Sequence, residues 1–300
     1  MMKFLMLLKR DVKLFFKDKG MFFTSLITPL ILLVLYATFL ADVYRDSFAS
    51  AMPAGLSIPD DLIDATVGGQ LLSSLLAVSC VTVAFCSNLL MVQDKVNGTR
   101  NDLTVSPVKR STVALAYFFG TEFATLIVNY VALGIGFIYL GKMGWYLSGK
   151  DVLSIILDVF LLTLFGTLLS SCVNVWLSTS GQASAVGTII SAGYGFICGA
   201  YMPISNFGSG LQKVLSYLPS TYATSLIKNH MLHGVFREME RKHYPDEMVE
   251  VIRDTLDCNP VFHGNVVSVN QMIGIMIGSI AVFGIIYYFV TLLPEGEGRR

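Results

Sequence analysis

Charge is scarce in this sequence. Asp, Glu, Lys and Arg make up 14% of its 300 residues, against roughly 25% in soluble domains, and 54% of it is hydrophobic. With a mean hydropathy of +0.64, that shortage excludes an ordinary soluble globule. Basic and acidic side chains balance at 21 each, so net charge implies no nucleic-acid partner. Cysteine is sparse as well. Cys80, Cys86, Cys172 and Cys198 lie inside apolar runs, where cysteine acts as a small packing residue, and Cys258 stands alone in a polar segment. Five scattered cysteines make no disulfide framework.

Catalytic and nucleotide-binding patterns are also missing. The nearest phosphate-binding match is Gly136–Met143, GFIYLGKM. It puts Met143 where Ser or Thr should hold magnesium, and it starts inside an apolar run instead of between a strand and a helix. Any ATP chemistry then belongs to another chain. All four histidines (His230, His233, His243 and His263) fall in one polar stretch, so none meets a Ser, Asp or Glu at membrane depth, which counts against an embedded enzyme. His230 and His233 share a helical face, but a metal site would need Cys258, Asp254 or Asp257 as well. A histidine tolerated in a wet loop is the simpler reading. No internal repeat marks the two halves, as secondary carriers often show.

What is present is length of apolar run. Six stretches suffice to cross a bilayer as helices: Met21–Leu40, Gln70–Val92, Thr112–Leu140, Val152–Leu177, Ala183–Met202 and Met272–Leu293. The first exceeds a signal-peptide core and lacks a convincing cleavage site, so it reads as an uncleaved span. The fold class expected is an all-α membrane protein of six transmembrane helices, one domain over 1–300. Lys3, Lys9, Arg10, Lys13, Lys17, Lys19, Lys95, Arg100, Lys109, Arg110, Arg299 and Arg300 flank one side, and only Arg45, Lys142 and Lys150 the other. Twelve against three places both termini in the cytoplasm.

The remaining segments have patterns of their own. Residues 1–19 put Leu5, Leu8, Val12, Phe15 and Phe16 on one face and Lys9, Arg10, Lys13 and Lys17 on the other, an amphipathic helix suited to a membrane interface or to packing on a cytoplasmic gate. Residues 203–227 are cut by Pro203, Gly208, Gly210 and Pro219 into pieces too short to cross, and read as re-entrant outer helices. Residues 228–270 read as a small outer cap without a core of its own, in which Pro245 starts a helix with Met248, Ile252 and Leu256 on one stripe.

Polar residues inside the spans are few and costly. Glu122, Thr125 and Asn129 share a stripe in the third span; Thr163, Thr167, Ser170 and Asn174 form one in the fourth; Ser184, Thr188 and Ser191 in the fifth; and Ser79, Thr82 and Cys86 in the second. Such stripes serve as polar glue between helices or line a path, for which Glu122, Asn129, Thr163, Asn174 and Thr188 are the candidates. Asp158 lies nearer the outer end, within reach of headgroups. Gly195–Gly199 and Gly274–Gly278 have spacings that favour close helix contact.

One compact charged segment, Asp94–Ser111, DKVNGTRNDLTVSPVKRS, interrupts the apolar pattern between the second and third spans. Its Gly98, Thr99, Leu103, Ser106, Pro107, Val108, Lys109 and Arg110, together with the order of the segments around it, resemble the membrane subunit of ABC-2-type (type V) ABC exporters. MPISNF and LQKVLSYLPSTY, through Pro203, Leu211 and Pro219, are similar to that family's outer re-entrant segment. Two departures are the lead-in Asp94, Lys95, Val96, Asn97 in place of a Glu-rich one, and Gly120, Thr121, Glu122 where many members have Gly-Lys.

The resemblance implies a permease subunit of a bacterial inner-membrane exporter. The segment 94–111 would be a coupling helix that docks a separate ABC ATPase through Asn97, Gly98, Thr99, Leu103, Ser106, Pro107, Val108 and Arg110. ATP and magnesium would be bound by that partner and no cofactor by this chain. A second permease, identical or not, would complete the path within membrane lipids, with drugs, peptides, lipids or glycans as substrates. The competing readings are a self-contained secondary transporter using Glu122 as an ion or proton site, an embedded enzyme, and a structural scaffold.

Overall fold

The computed structural model describes residues 2–35, 42, 45, 59–105 and 107–292. Helix dominates, because long apolar runs with few breakers must satisfy their own backbone groups. In chain order these are α1 (Met2–Lys17), α2 (Lys19–Leu35), α3 (Asp60–Val96), α4 (Thr99–Val105), α5 (Arg110–Met143), α6 (Gly149–Asn174) and α7 (Ser180–Ile197). A 3₁₀ turn at Ile204–Asn206, α8 (Ser209–Leu215), α9 (Pro219–Arg241) and α10 (Asp246–Thr255) follow. A two-stranded hairpin, β1 (Val261–Phe262) and β2 (Asn265–Val266), then leads into α11 (Val269–Leu292).

Among the described residues four helices are long and apolar enough to cross a membrane: α3, α5, α6 and α11. They match the expected second, third, fourth and sixth spans. The expected first span is represented by α2, 17 residues with Pro29 inside it; positions 36–40 of that span lie outside the described residues, as do Arg299 and Arg300. The expected fifth span is α7, 18 residues that carry Ser180, Gln182, Ser184, Thr188 and Ser191.

Helix α3 is the axis of the bundle. It packs against α2, α5, α6, α7 and α9, and 94% of its apolar window is buried inside the chain, against 11% for α11. Its sequence suits that place, because small and weakly polar side chains (Ser73, Ser74, Ala77, Ser79, Cys80, Ala84) let five neighbours approach it. Backbone meets backbone closely at Gly166 of α6, where an added Cβ would lie 2.8 Å from the Cys80 carbonyl oxygen and 3.0 Å from Val81 Cα. Backbone cannot yield as a side-chain tip does. Gly166→Val is expected to destabilise the bundle by about 1–3 kcal/mol, seen as a lowered thermal midpoint of the full chain in detergent.

Three expectations are corrected. At 37 residues α3 is roughly 55 Å long and starts at Asp60, well before Gln70. Its extra turns carry Leu62, Ala65 and Val67 into an apolar cluster with Phe236 and Met239 of α9, Met248 and Ile252 of α10, and Cys258. The apolar cluster of the cap is thus shared with the end of α3. Second, α9 is one continuous 23-residue helix. It runs unbroken across 227/228, where the sequence pattern divides re-entrant segment from cap, because Pro219 at its first turn starts it and no later residue stops it.

Third, among the described residues the glycine pairs do not join helices. The space at Gly195 is filled by the ring of Tyr201, and Gly199 has a φ of +73° that turns the chain back on itself. Nothing among the described residues lies within 4 Å of a Cβ at Gly274 or Gly278.

Candidate functional site

The charged segment begins on the last turn of α3, which ends where Gly98 takes a φ of +77°. That left-handed residue reverses the chain into the seven-residue α4. The short helix is tied down from several sides. Leu103 and Val108 turn inward onto the cluster formed by Phe15, Val113 and Tyr117. Lys3 Nζ of α1 donates to the Pro107 carbonyl at 2.7 Å. Lys95 Nζ donates to the carbonyls of Val175 and Leu177 at 3.1 and 3.2 Å, satisfying the open end of α6.

The surface left outside is small and mixed. Asn97, Asn101, Asp102, Pro107, Lys109 and Arg110 are exposed, and Val105 is 87% exposed. Gly98 and Thr99 are half-buried. Of the residues expected to dock a partner, Asn97, Pro107 and Arg110 therefore present themselves, whereas Leu103 and Val108 fasten the segment to the bundle. Ser106 lies outside the described residues. Val105 is absent from the expected set, and no local pattern distinguishes it from Leu103, since both are apolar and two residues apart.

Asp94 faces inward and joins α1 to the bundle. Arg10 Nη1 and Nη2 donate to its Oδ2 and Oδ1 at 2.7 and 2.8 Å, and Tyr117 Oη donates to Oδ2 at 2.6 Å. Arg10 also pairs with Asp11 at 2.8 Å. The basic face of α1 is thus divided: Arg10 points into the protein, not at a membrane surface. Asp11 sits against Gly120 of α5, where an added Cβ would come within 2.8 Å of the Asp11 Cβ. A side chain at position 120 would displace α1.

Burial pushes the Asp11 carboxyl up to about 7, with the Arg10 charge pulling the other way. Its ordinary value is 3.8. An acid raised on docking favours the docked state at low pH, so the contribution is full below the ordinary value and is lost as pH rises to about 7. The slope is at most about 1.4 kcal/mol per pH unit. Amide-exchange protection of α1 is expected to fall across that window, and Asp11→Asn to level it.

A second polar centre lies between the long helices. Glu122 of α5 is buried, with Thr167 Oγ1 2.7 Å from its Oε2 and Thr163 Oγ1 3.1 Å from its Oε1. Asn129 is buried on the same face of α5 and donates to the Thr125 carbonyl at 2.9 Å. Asn88 of α3 donates to Ser170 and Ser171 of α6 at 3.1 and 2.9 Å, and Asn174 is buried one turn further along. Of the expected path residues the fold brings Glu122 and Thr163 into contact. Thr188 stands apart, exposed on α7 with its hydroxyl donating to the Ser184 carbonyl at 2.9 Å.

His243 and His263 lie in turns, as a loop reading expects, but His230 and His233 lie on α9. His230 Nδ1 lies 2.5 Å from Asp158 Oδ2, and His233 Nδ1 2.7 Å from Asp151 Oδ1, so each tooth of α9 engages a separate carboxylate of α6. Asp158 is therefore buried against protein and does not reach outward. Asp257 Oδ2 accepts from the Ile204 amide at 2.7 Å and lies 3.9 Å from Lys228 Nζ, while the Cys258 carbonyl accepts from Asn229 Nδ2. Among the described residues no group of three or more His, Cys, Asp or Glu is gathered to hold a metal ion.

No curated protein sequence matches the chain. The family model for the ABC-2 family transporter protein matches residues 50–293, a range that takes in α3 through α11. Permeases of that family are transport components that work with an ABC ATPase. Helices α1 and α2 lie ahead of the match; the Arg10–Asp94 pair ties α1 to it, and α2 packs on α3. Four apolar helices long enough to span and a match over most of the sequence lead to one conclusion: this chain is a multi-pass membrane protein and belongs to the ABC-2 transporter family.

Proposed function

We propose that the chain is the permease subunit of an ATP-driven exporter, and that α4 with its flanks docks a separate ATPase that binds ATP and magnesium. The observation that carries this reading is a projecting segment with opposite roles on its two sides. Leu103, Val108, Lys95 and the carbonyl of Pro107 fix it to α1, α3, α5 and α6, and Asn97, Asp102, Val105, Lys109 and Arg110 are left for a partner. A push on that surface reaches α3, which contacts most of the bundle. Conformational work needs such a stiff linkage, since a floppy loop would absorb the displacement.

The full layout belongs to the same reading. Six helices cross the bacterial inner membrane, α2 and α7 included, with both termini and α4 in the cytoplasm and the segment 203–227 dipping into the outer leaflet. A second permease, identical or not, packs on exposed membrane faces such as that of α11, and the substrate path runs between the two. The substrate is a drug, peptide, lipid or glycan. Reconstitution with and without the ATPase tests the core of this. Transport that requires ATP and the partner supports it; transport by the chain alone on an ion gradient contradicts it.

A further inference from the structure

Glu122 has too few partners for a charge. It is 5% exposed, and among the described residues its contacts are two threonine hydroxyls and no cation. Among the described residues the titratable side chains nearby are Cys80 on α3 and Tyr130 on α5, a thiol and a phenol and neither a cation. An ionised carboxylate offers about four lone-pair sites and can take one hydrogen from each hydroxyl at most. Buried ions without a counter-charge are the least tolerated groups in a protein interior.

The hydrogen count closes if one proton is added. Thr163 Oγ1 lies 2.9 Å from the Phe160 carbonyl as well as 3.1 Å from Glu122 Oε1, and a hydroxyl has one hydrogen to give. With that hydrogen on the Phe160 carbonyl, Thr163 Oγ1 is an acceptor toward Glu122. A proton on Oε1 donates to it, and Oε2 accepts from Thr167 at 2.7 Å. Every polar atom of the three side chains then has a role.

We propose that Glu122 is a proton-binding site inside this single chain, holding its proton between α5 and α6 in the packing described. The change is one carboxylate plus one proton giving one carboxyl, with no other bond made or broken. Thr125 Oγ1 and Asn129 Oδ1, both buried on the same face of α5, have no side-chain or backbone partner among the described residues. They offer acceptors one and two turns away for a water that delivers or removes the proton. The site is independent of which protein drives transport, so its failure would leave the ATPase reading standing, and the reverse.

Infrared difference spectroscopy on the full chain in lipid nanodiscs near neutral pH is the test. The expected spectrum contains the C=O stretch of a protonated, hydrogen-bonded carboxyl that shifts in D₂O. It disappears in Glu122→Gln and persists in Asp158→Asn. Thr163→Val removes the acceptor of the carboxyl hydrogen and is expected to move the band to higher frequency without abolishing it, a readout that survives if the glutamine variant misfolds. A spectrum with no such band, or one unchanged by Glu122→Gln and Thr163→Val, overturns the proposal. So does a carboxylate band that moves on adding sodium or potassium, which would make the occupant a metal cation.

Discussion

Val105→Asp is expected to abolish ATPase-driven transport while the chain still inserts and folds. Val105 is 87% exposed at the end of α4 and is in none of the apolar clusters formed by the described residues. A charge there costs the isolated chain within about 0.5 kcal/mol. At the apolar centre of a docked surface the same charge must be desolvated without a partner. The loss is then about 2 kcal/mol or more, a roughly 30-fold weaker complex. Leu103→Asp is not an equivalent probe. Leu103 packs on the α1–α5 cluster, so a charge there unseats the segment itself and confounds coupling with folding. Co-purification of the ATPase and ATP-dependent transport, each compared between Val105→Asp and Val105→Ala, separate the two effects.

The second large effect is at Arg10. Its guanidinium gives two hydrogen bonds to Asp94, whose side chain is 8% exposed, and one to Asp11, at 5%. Arg10→Ala leaves two buried carboxyls without their cation. Breaking a buried pair from one side costs about 3–5 kcal/mol, reduced here because Arg10 keeps an exposed flank. Arg10→Ala/Asp94→Asn should recover much of that loss, since Tyr117 can still bond the amide oxygen. Amide exchange in α1 reads the outcome: rapid in the single variant, restored toward wild type in the double. Because Lys3 on the same helix holds the Pro107 carbonyl, undocked α1 is also expected to loosen α4.

Sequence patterns reach some of these features and miss others for identifiable reasons. The long helices are legible because each apolar run has one consistent period and length. Glu122 stands out because a carboxylate at membrane depth is rare, and Thr163 because it repeats at helical spacing. The pairings that matter most are not legible. Arg10 and Asp94 are 84 positions apart, and the basic face of an amphipathic helix looks the same whether one of its cations turns inward or all face a membrane. His230 and Asp158 are 72 apart, so a helix face engaging α6 reads as a wet loop. The length of α3 beyond its apolar run is hidden too, because Leu62, Ala65 and Val67 are scattered among acids and find apolar cover only where α9 and α10 pack on them.

The central claim is that the outward side of α4 touches an ATPase. Site-specific photo-crosslinking tests it most directly, with a photoreactive residue placed in turn at Val105, Asp102 and Val108 of the full chain in native membranes. The account predicts an ATP-sensitive crosslink to an ABC ATPase from Val105 and Asp102, and from Val108 only intramolecular products. Equal intermolecular yields at all three positions, or an ATPase captured from none of them, would contradict it.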